Sequence, residues 1–189
     1  MSVTIDKARD VLVGQDITSF KMNVANLRLT QKVIFDTFQN YAKATGIPVD
    51  TFSLIKDGCT MIRGSTYIIL TDEHTAANRK NWTLAHEVGH VVLGHIKDES
   101  CEERQANGFA SELLLPELVV LELQRKLQRP LCEDELSRLF GVSKSAAGVR
   151  LRQIGRKSRF SPYLKNEIIV KYSRLIDKYI KKENLCLTM

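Results

Sequence analysis

The stretch WTLAHEVGHVVLGH, residues 82–95, constrains this 189-residue chain more than any other. Its apolar residues and the stop at Gly94 predict a helix over about 81–93. His86 and His90 stand four apart within it, so both imidazoles leave the same helix face and reach one zinc ion at about 2.0–2.1 Å. Glu87 is rotated one position round, out of plane for a ligand but able to touch a water at the ion and act as its general base. Val88, Val91 and Val92 make the helix largely apolar, and polar side chains on such an element are costly without partners. The spacing therefore points to a metal site rather than to a chance pair on a solvated face.

A catalytic zinc takes three protein ligands and keeps a fourth position open. An extended motif with a third histidine would need glycine at Leu93 and histidine at Ile96; His95, one position short and behind the helix stop, reads as a surface histidine. The next predicted helix, from near Glu99 to before Pro116, offers carboxylates instead. With Glu103 as origin and 100° per residue, Ala106, Ala110, Leu113 and Leu114 fall within about 80° of it. Glu103 thus points along the apolar stripe, and a cation is the economical partner for its charge. Glu102, at the stripe's edge, and Glu99, one turn earlier, are the alternatives. Asn107 lies on the same side as Glu103, placed to hydrogen-bond the outer nitrogen of a ligating histidine.

The rest of the chain reads as an α+β protein. Residues 30–45 have helical spacing, and residues 51–55, 59–63 and 66–70 are short β-prone runs, the later ones separated by the turn signals Asp57-Gly58 and Gly64-Ser65, which predicts a small antiparallel sheet. Pro116 opens a third helix reaching about 129. Helices over 133–140 and 144–154 meet at Gly141-Val142-Ser143 in a helix-turn-helix shape, and a final amphipathic basic helix runs from Ser161-Pro162 to about 182. Residues 1–28 have no assignable periodicity. The expected division is a core domain over 1–129 and a basic helical extension over 130–189.

A composition of 43% hydrophobic and 26% charged residues is that of an ordinary globular protein. No apolar run approaches the roughly 20 residues of a membrane span, and the start, MSVTIDKARD, has acids where a secretory leader has basic residues, so a cytoplasmic protein is expected. Cys59, Cys101, Cys132 and Cys186 form no Cys-x-x-Cys pair and are expected to be reduced thiols. Charge is uneven. Residues 1–124 carry 12 basic against 16 acidic side chains, and residues 125–189 carry 16 against 6.

WTLAHEVGHVVLGH, then EERQANGFASELLLP, then ELSRLFGVSKSAAGVRLRQIG together resemble the ImmA/IrrE family of metallo-endopeptidases, found in mobile genetic elements and stress-response systems of bacteria. The similarity covers about residues 30–155. It implies a zincin-like core followed by the helical part, His86 and His90 as ligands, Glu87 as catalytic acid/base, and Glu103, from the family's E-x-x-A-N-x-F-A segment, as third ligand. Family members often have an acidic residue where this chain has Gln105. The resemblance further implies a protein substrate, a helix-turn-helix transcriptional repressor cut at a specific site.

The chemistry of the residues agrees with peptide-bond hydrolysis by metal-activated water, with Glu87 as general base. An extended substrate would add to an open sheet edge, for which residues 66–70 are the candidate strand. Tyr67 and His74 are unassigned candidates for stabilising the oxyanion. The alternative reading is a non-catalytic regulator that binds a repressor or DNA through the basic extension. From Arg138 to Lys165 there are eight Lys/Arg and no Asp or Glu, the footprint of a nucleic-acid binder. In the second helix of the pair Val149, Leu151 and Ile154 are expected inside, leaving Arg150 and Arg152 for phosphates, so DNA binding is not favoured.

Overall fold

The structure is a computed structural model that describes residues 2–55, 57–96, 99–155 and 166–187. The fold is α+β, with a three-stranded sheet and eight α-helices among the described residues. Two compact units divide the chain. One comprises Met1–Ala8 and Asn23–Ala110, the other Arg9–Met22 and Ser111–Met189. The N-terminal helix α1, Ser2–Val13, which sequence periodicity did not reveal, carries residues of both. None of the helices is long and apolar enough to cross a membrane, among the described residues.

The first unit holds the sheet. Strands β1 (Lys32–Thr37), β2 (Gly58–Arg63) and β3 (Thr66–Thr71) lie in the order β1-β3-β2. β2 and β3 form the antiparallel hairpin that Gly64-Ser65 predicts, with Arg63 opposite Thr66 and Gly58 opposite Thr71, and Gly64 supplies the positive φ of 60° for its turn. β1 runs parallel to β3, from Lys32 beside Thr66 to Thr37 beside Thr71. The sheet is therefore mixed, not antiparallel, and the middle strand is β3. Residues 66–70 consequently have neighbours on both sides and offer no open edge.

Two local departures from the sequence expectation produce this arrangement. Residues 32–37, expected at the start of a helix, are β1, because Val33, Ile34 and Phe35 suit a pleated strand and Thr37 halts it. The Thr37 side chain accepts from the Asn40 N–H at 3.1 Å, capping helix α2, Phe38–Thr45, so the helix begins only there. Residues 51–55, expected as a strand, instead follow Pro48 into a 3-10 turn, Val49–Phe52. The N–H groups of Ser53 and Ile55 bond back to Asp50 and Phe52, three residues earlier. That turn swings Phe52 onto Phe38, ring centroids 5.0 Å apart, in a cluster with Ala42, Ile68 and Leu70. Helices α3 (Ala77–Leu93) and α4 (Ser100–Leu114) follow as expected, α3 starting four residues early.

The second unit is helical. After α4 come α5 (Glu117–Leu127), α6 (Glu133–Phe140), α7 (Lys144–Gly155) and α8 (Glu167–Leu187). Gly141, at φ 71°, closes α6 and makes the turn of the helix-turn-helix pair. Phe20, from the N-terminal segment, enters an aromatic group with Phe140, Tyr172 and Tyr179 at 5.4, 6.0 and 6.3 Å, and Ile168, Tyr172 and Ile176 give α8 its buried face. The expected α8 start at Ser161-Pro162 lies outside the described residues.

α7 is turned differently from the sequence expectation. Ala147, Gly148, Arg150 and Ile154 are buried, while Val149 is exposed. Arg150 is not on a phosphate-facing surface: its guanidinium meets the Glu112 carboxylate at 2.7 Å and the Ser111 carbonyl at 2.9 Å. Lys144 and Arg152 face Asp134 and Glu133 at 2.7 and 3.9 Å. The acids of α6 thus accompany much of the described basic run.

Candidate metal centre

The site is built by two helices and one strand of the first unit. α3 presents His86, Glu87 and His90, and its Gly89 permits the approach of α4. A Cβ at position 89 would stand 3.2 Å from the Ala106 Cα and carbonyl oxygen and from the Phe109 Cβ. The glycine inside the motif therefore exchanges roughly 1 kcal/mol of helix propensity for close packing. Ala106 and Ala110 are fully buried, which turns Glu103 along their stripe toward the histidines. Glu103 points along the apolar stripe as expected, yet its side chain is 43% exposed and lines a cleft.

The ligand atoms converge. His86 Nε2 and His90 Nε2 are 3.1 Å apart, and the Glu103 carboxylate lies 3.3 Å from the first and 3.1 Å from the second. All three offer one donor atom within 4.8 Å of one another, and among the described residues they are the one group of three so arranged. Glu99 and Glu102 are not members of it. A tetrahedral ion with bonds of about 2.0–2.1 Å spaces its ligand atoms about 3.3–3.4 Å apart, close to what these residues show.

Proton bookkeeping favours the same conclusion. The Asn107 amide nitrogen donates to the Glu103 carbonyl at 2.9 Å, which turns the Asn107 oxygen toward His86 Nδ1 at 3.2 Å. That oxygen accepts a hydrogen from His86 Nδ1, the tautomer of the neutral ring that leaves Nε2 as a lone pair for a ligand bond. Lone pairs and a carboxylate directed at one point repel unless a cation stands there, so the residues fit a metal. Burial, and next the adjacent His86, push His90 below the usual imidazolium range, favouring the neutral ring that ligation needs.

The three residues line a cleft of about 700 Å³. Glu87 also lines it, and the Thr60 hydroxyl donates to Glu87 Oε2 at 2.6 Å. Thr60 belongs to β2, which Gly58 seats against α3: a Cβ there would come within 2.6 Å of the Thr83 methyl. Cys59 lies beside them, and burial followed by the Glu87 charge raises its thiol to about 11; it is not one of the converging group. Cys59, Cys101 and Cys132 are free thiols. Tyr67 lines the cleft; His74 sits outside it, exposed beside Glu73.

Two contributors escaped the sequence reading. Thr60 is 27 residues from Glu87 and no local pattern links them. His95, expected at the surface, is half-buried with its Nδ1 3.1 Å from His90 Nδ1. Here a signal existed. Gly94 ends α3 in the left-handed region at φ 71°, and the next N–H returns to the His90 carbonyl at 3.0 Å, a helix end that carries residue 95 back over residue 90.

Against this geometry, the family model described as IrrE N-terminal-like domain, peptidase M78, matches residues 41–152. No curated protein matches the chain.

Proposed function

The chain belongs to the IrrE N-terminal-like domain family of M78 peptidases, and from that premise we propose that it is a zinc-dependent endopeptidase whose substrate is a helix-turn-helix transcriptional repressor. The observation that carries the proposal is the meeting of His86, His90 and Glu103 in an open cleft that Glu87 also lines. His86, His90 and Glu103 would hold zinc, with Asn107 orienting His86. When bound, zinc supplies a more acidic water and polarises the scissile carbonyl. Glu87 takes the proton of the attacking water and delivers it to the leaving amine nitrogen. Thr60 holds Glu87 Oε2, which leaves Oε1 for that proton.

The substrate strand has a place in this reading. β2 is an edge of the sheet, and it bears Cys59, Thr60 and Ile62 on the cleft. An extended peptide would pair with its backbone and cross the floor of the site. The competing regulator reading loses one of its phosphate contacts, since Arg150 is 3% exposed and occupied by Glu112.

The test compares the parent with Glu87→Gln on a proteome-derived peptide library read by mass spectrometry. Both proteins are expected to hold about one zinc per chain. The parent should produce cuts, abolished by a chelator, and the variant should produce them about 10²–10⁴-fold more slowly. Undiminished cleavage by Glu87→Gln, or zinc-loaded parent that cuts neither the library nor any helix-turn-helix repressor, would count against the proposal.

A further inference from the structure

We propose that His95 is a positioning residue of the metal centre: it accepts the Nδ1–H of His90, fixing that ring with Nε2 toward the ion, and is itself anchored by Gln105. The inference rests on the metal reading above and deepens it.

Once His90 Nε2 is given to the metal, each hydrogen in the chain of contacts has one place. The Gln105 amide nitrogen is engaged on the Cys101 sulfur at 3.7 Å, which turns Gln105 Oε1 toward His95 Nε2 at 2.9 Å. An oxygen acceptor there requires hydrogen on His95 Nε2, so His95 Nδ1 is bare. Across the 3.1 Å gap between the two Nδ1 atoms, the hydrogen then belongs to His90. His90 Nε2 is left as a lone pair, and it is the atom that faces His86 and Glu103. Running the chain the other way would put the hydrogen on His90 Nε2 and close that atom to a metal.

The arrangement gives each ligating histidine its own outer partner. His86 has Asn107 from α4, and His90 has His95 from the turn behind α3. The two rings stand edge to face, centroids 5.0 Å apart at 77°. The left-handed Gly94 and the His95 N–H bond to the His90 carbonyl bring His95 there, and Gln105 holds its ring. Without that acceptor, the His90 ring can present either nitrogen to the cleft, and a metal must select one orientation when it binds. Outer partners of this kind are worth about 10–100-fold in metal affinity.

The experiment measures zinc affinity of the full chain by competition with a chromophoric chelator, for the parent, His95→Leu and His95→Asn. Asparagine sets an amide oxygen where Nδ1 stands, and leucine has a similar branched shape without the acceptor. His95→Leu is expected to weaken zinc about 10–100-fold and His95→Asn to stay within about threefold of the parent. Equal affinity of the leucine variant and the parent overturns the proposal, and so does an equal loss in both variants. Should His95→Leu fail to fold, long-range proton–nitrogen correlation on the zinc-loaded parent decides: hydrogen on His90 Nδ1 and His95 Nε2 is expected, and hydrogen on the opposite nitrogen of either ring overturns it. A parent that takes up no zinc refutes the metal reading together with this one. A zinc-binding parent with an unaffected leucine variant refutes this one alone.

Discussion

Two acids of α4, nine residues apart, meet opposite fates. Glu112 is 1% exposed and is answered by cations of the protein itself, Arg9 at 2.9 Å and Arg150 at 2.7 Å. Glu103 is 43% exposed and faces two imidazoles, of which His90 is held toward its neutral form. One carboxylate is neutralised by cations of the fold, and the other faces two imidazoles on a cleft. The contrast separates an acid whose charge the fold answers from one placed to meet a cation, although both lie on the same helix.

The largest expected effect breaks the first half of that contrast. Glu112→Ala leaves Arg150 enclosed without its carboxylate, which should cost about 3–5 kcal/mol in a urea unfolding curve. Glu103→Ala, measured without metal, should change stability by less than about 1 kcal/mol. Equal losses in the two variants would erase the distinction.

A smaller effect sharpens the second half. Free zinc at 100 times its dissociation constant should add about 2.7 kcal/mol to the parent's unfolding free energy. At the same concentration Glu103→Ala, His86→Ala and His90→Ala should gain little, while Glu112→Ala should still gain. Unfolding with and without zinc checks this directly.

The last effect is confined to acid and concerns a third carboxylate. Glu135, bonded by the Arg129 guanidinium at 2.7 Å and by the Cys132 N–H at 2.8 Å, is held down to about 2, chiefly by Arg129. A depressed folded-state value means stability that is fully present above about 4.5 and is lost as pH falls through 2. Unfolding midpoints measured from pH 5 to 2 should therefore fall less steeply for Glu135→Gln than for the parent.

What the sequence disclosed and what it concealed follow one physical division. Helical phase is local, so His86, His90 and Glu103 could be aligned from spacing, and Asn107 with them. Glu112 was missed because nine steps of 100° put it half a turn from Glu103, on what a one-sided pattern treats as the outer face; the C-terminal end of α4 is buried on that side too. Arg150 was misplaced for the same reason, since its partner lies 38 residues away. Val33, Ile34, Phe38 and Tyr41 satisfy a helical period although the first two belong to β1. Only the Thr37 cap and the pairing with β3, both unreadable from period alone, settle the boundary.

The strand order β1-β3-β2 has a consequence for rate. The outer edge of β2 offers backbone groups that an extended chain can meet and a helix, with its own groups already paired, cannot. If a repressor is the substrate, as proposed, its helical segment must open before it can lie there. Turnover is then limited by how often the target opens, and each 1.4 kcal/mol removed from the target's local stability should speed its cleavage about tenfold. On that footing the choice of cleavage site belongs as much to the weakest segment of the target as to the cleft that receives it.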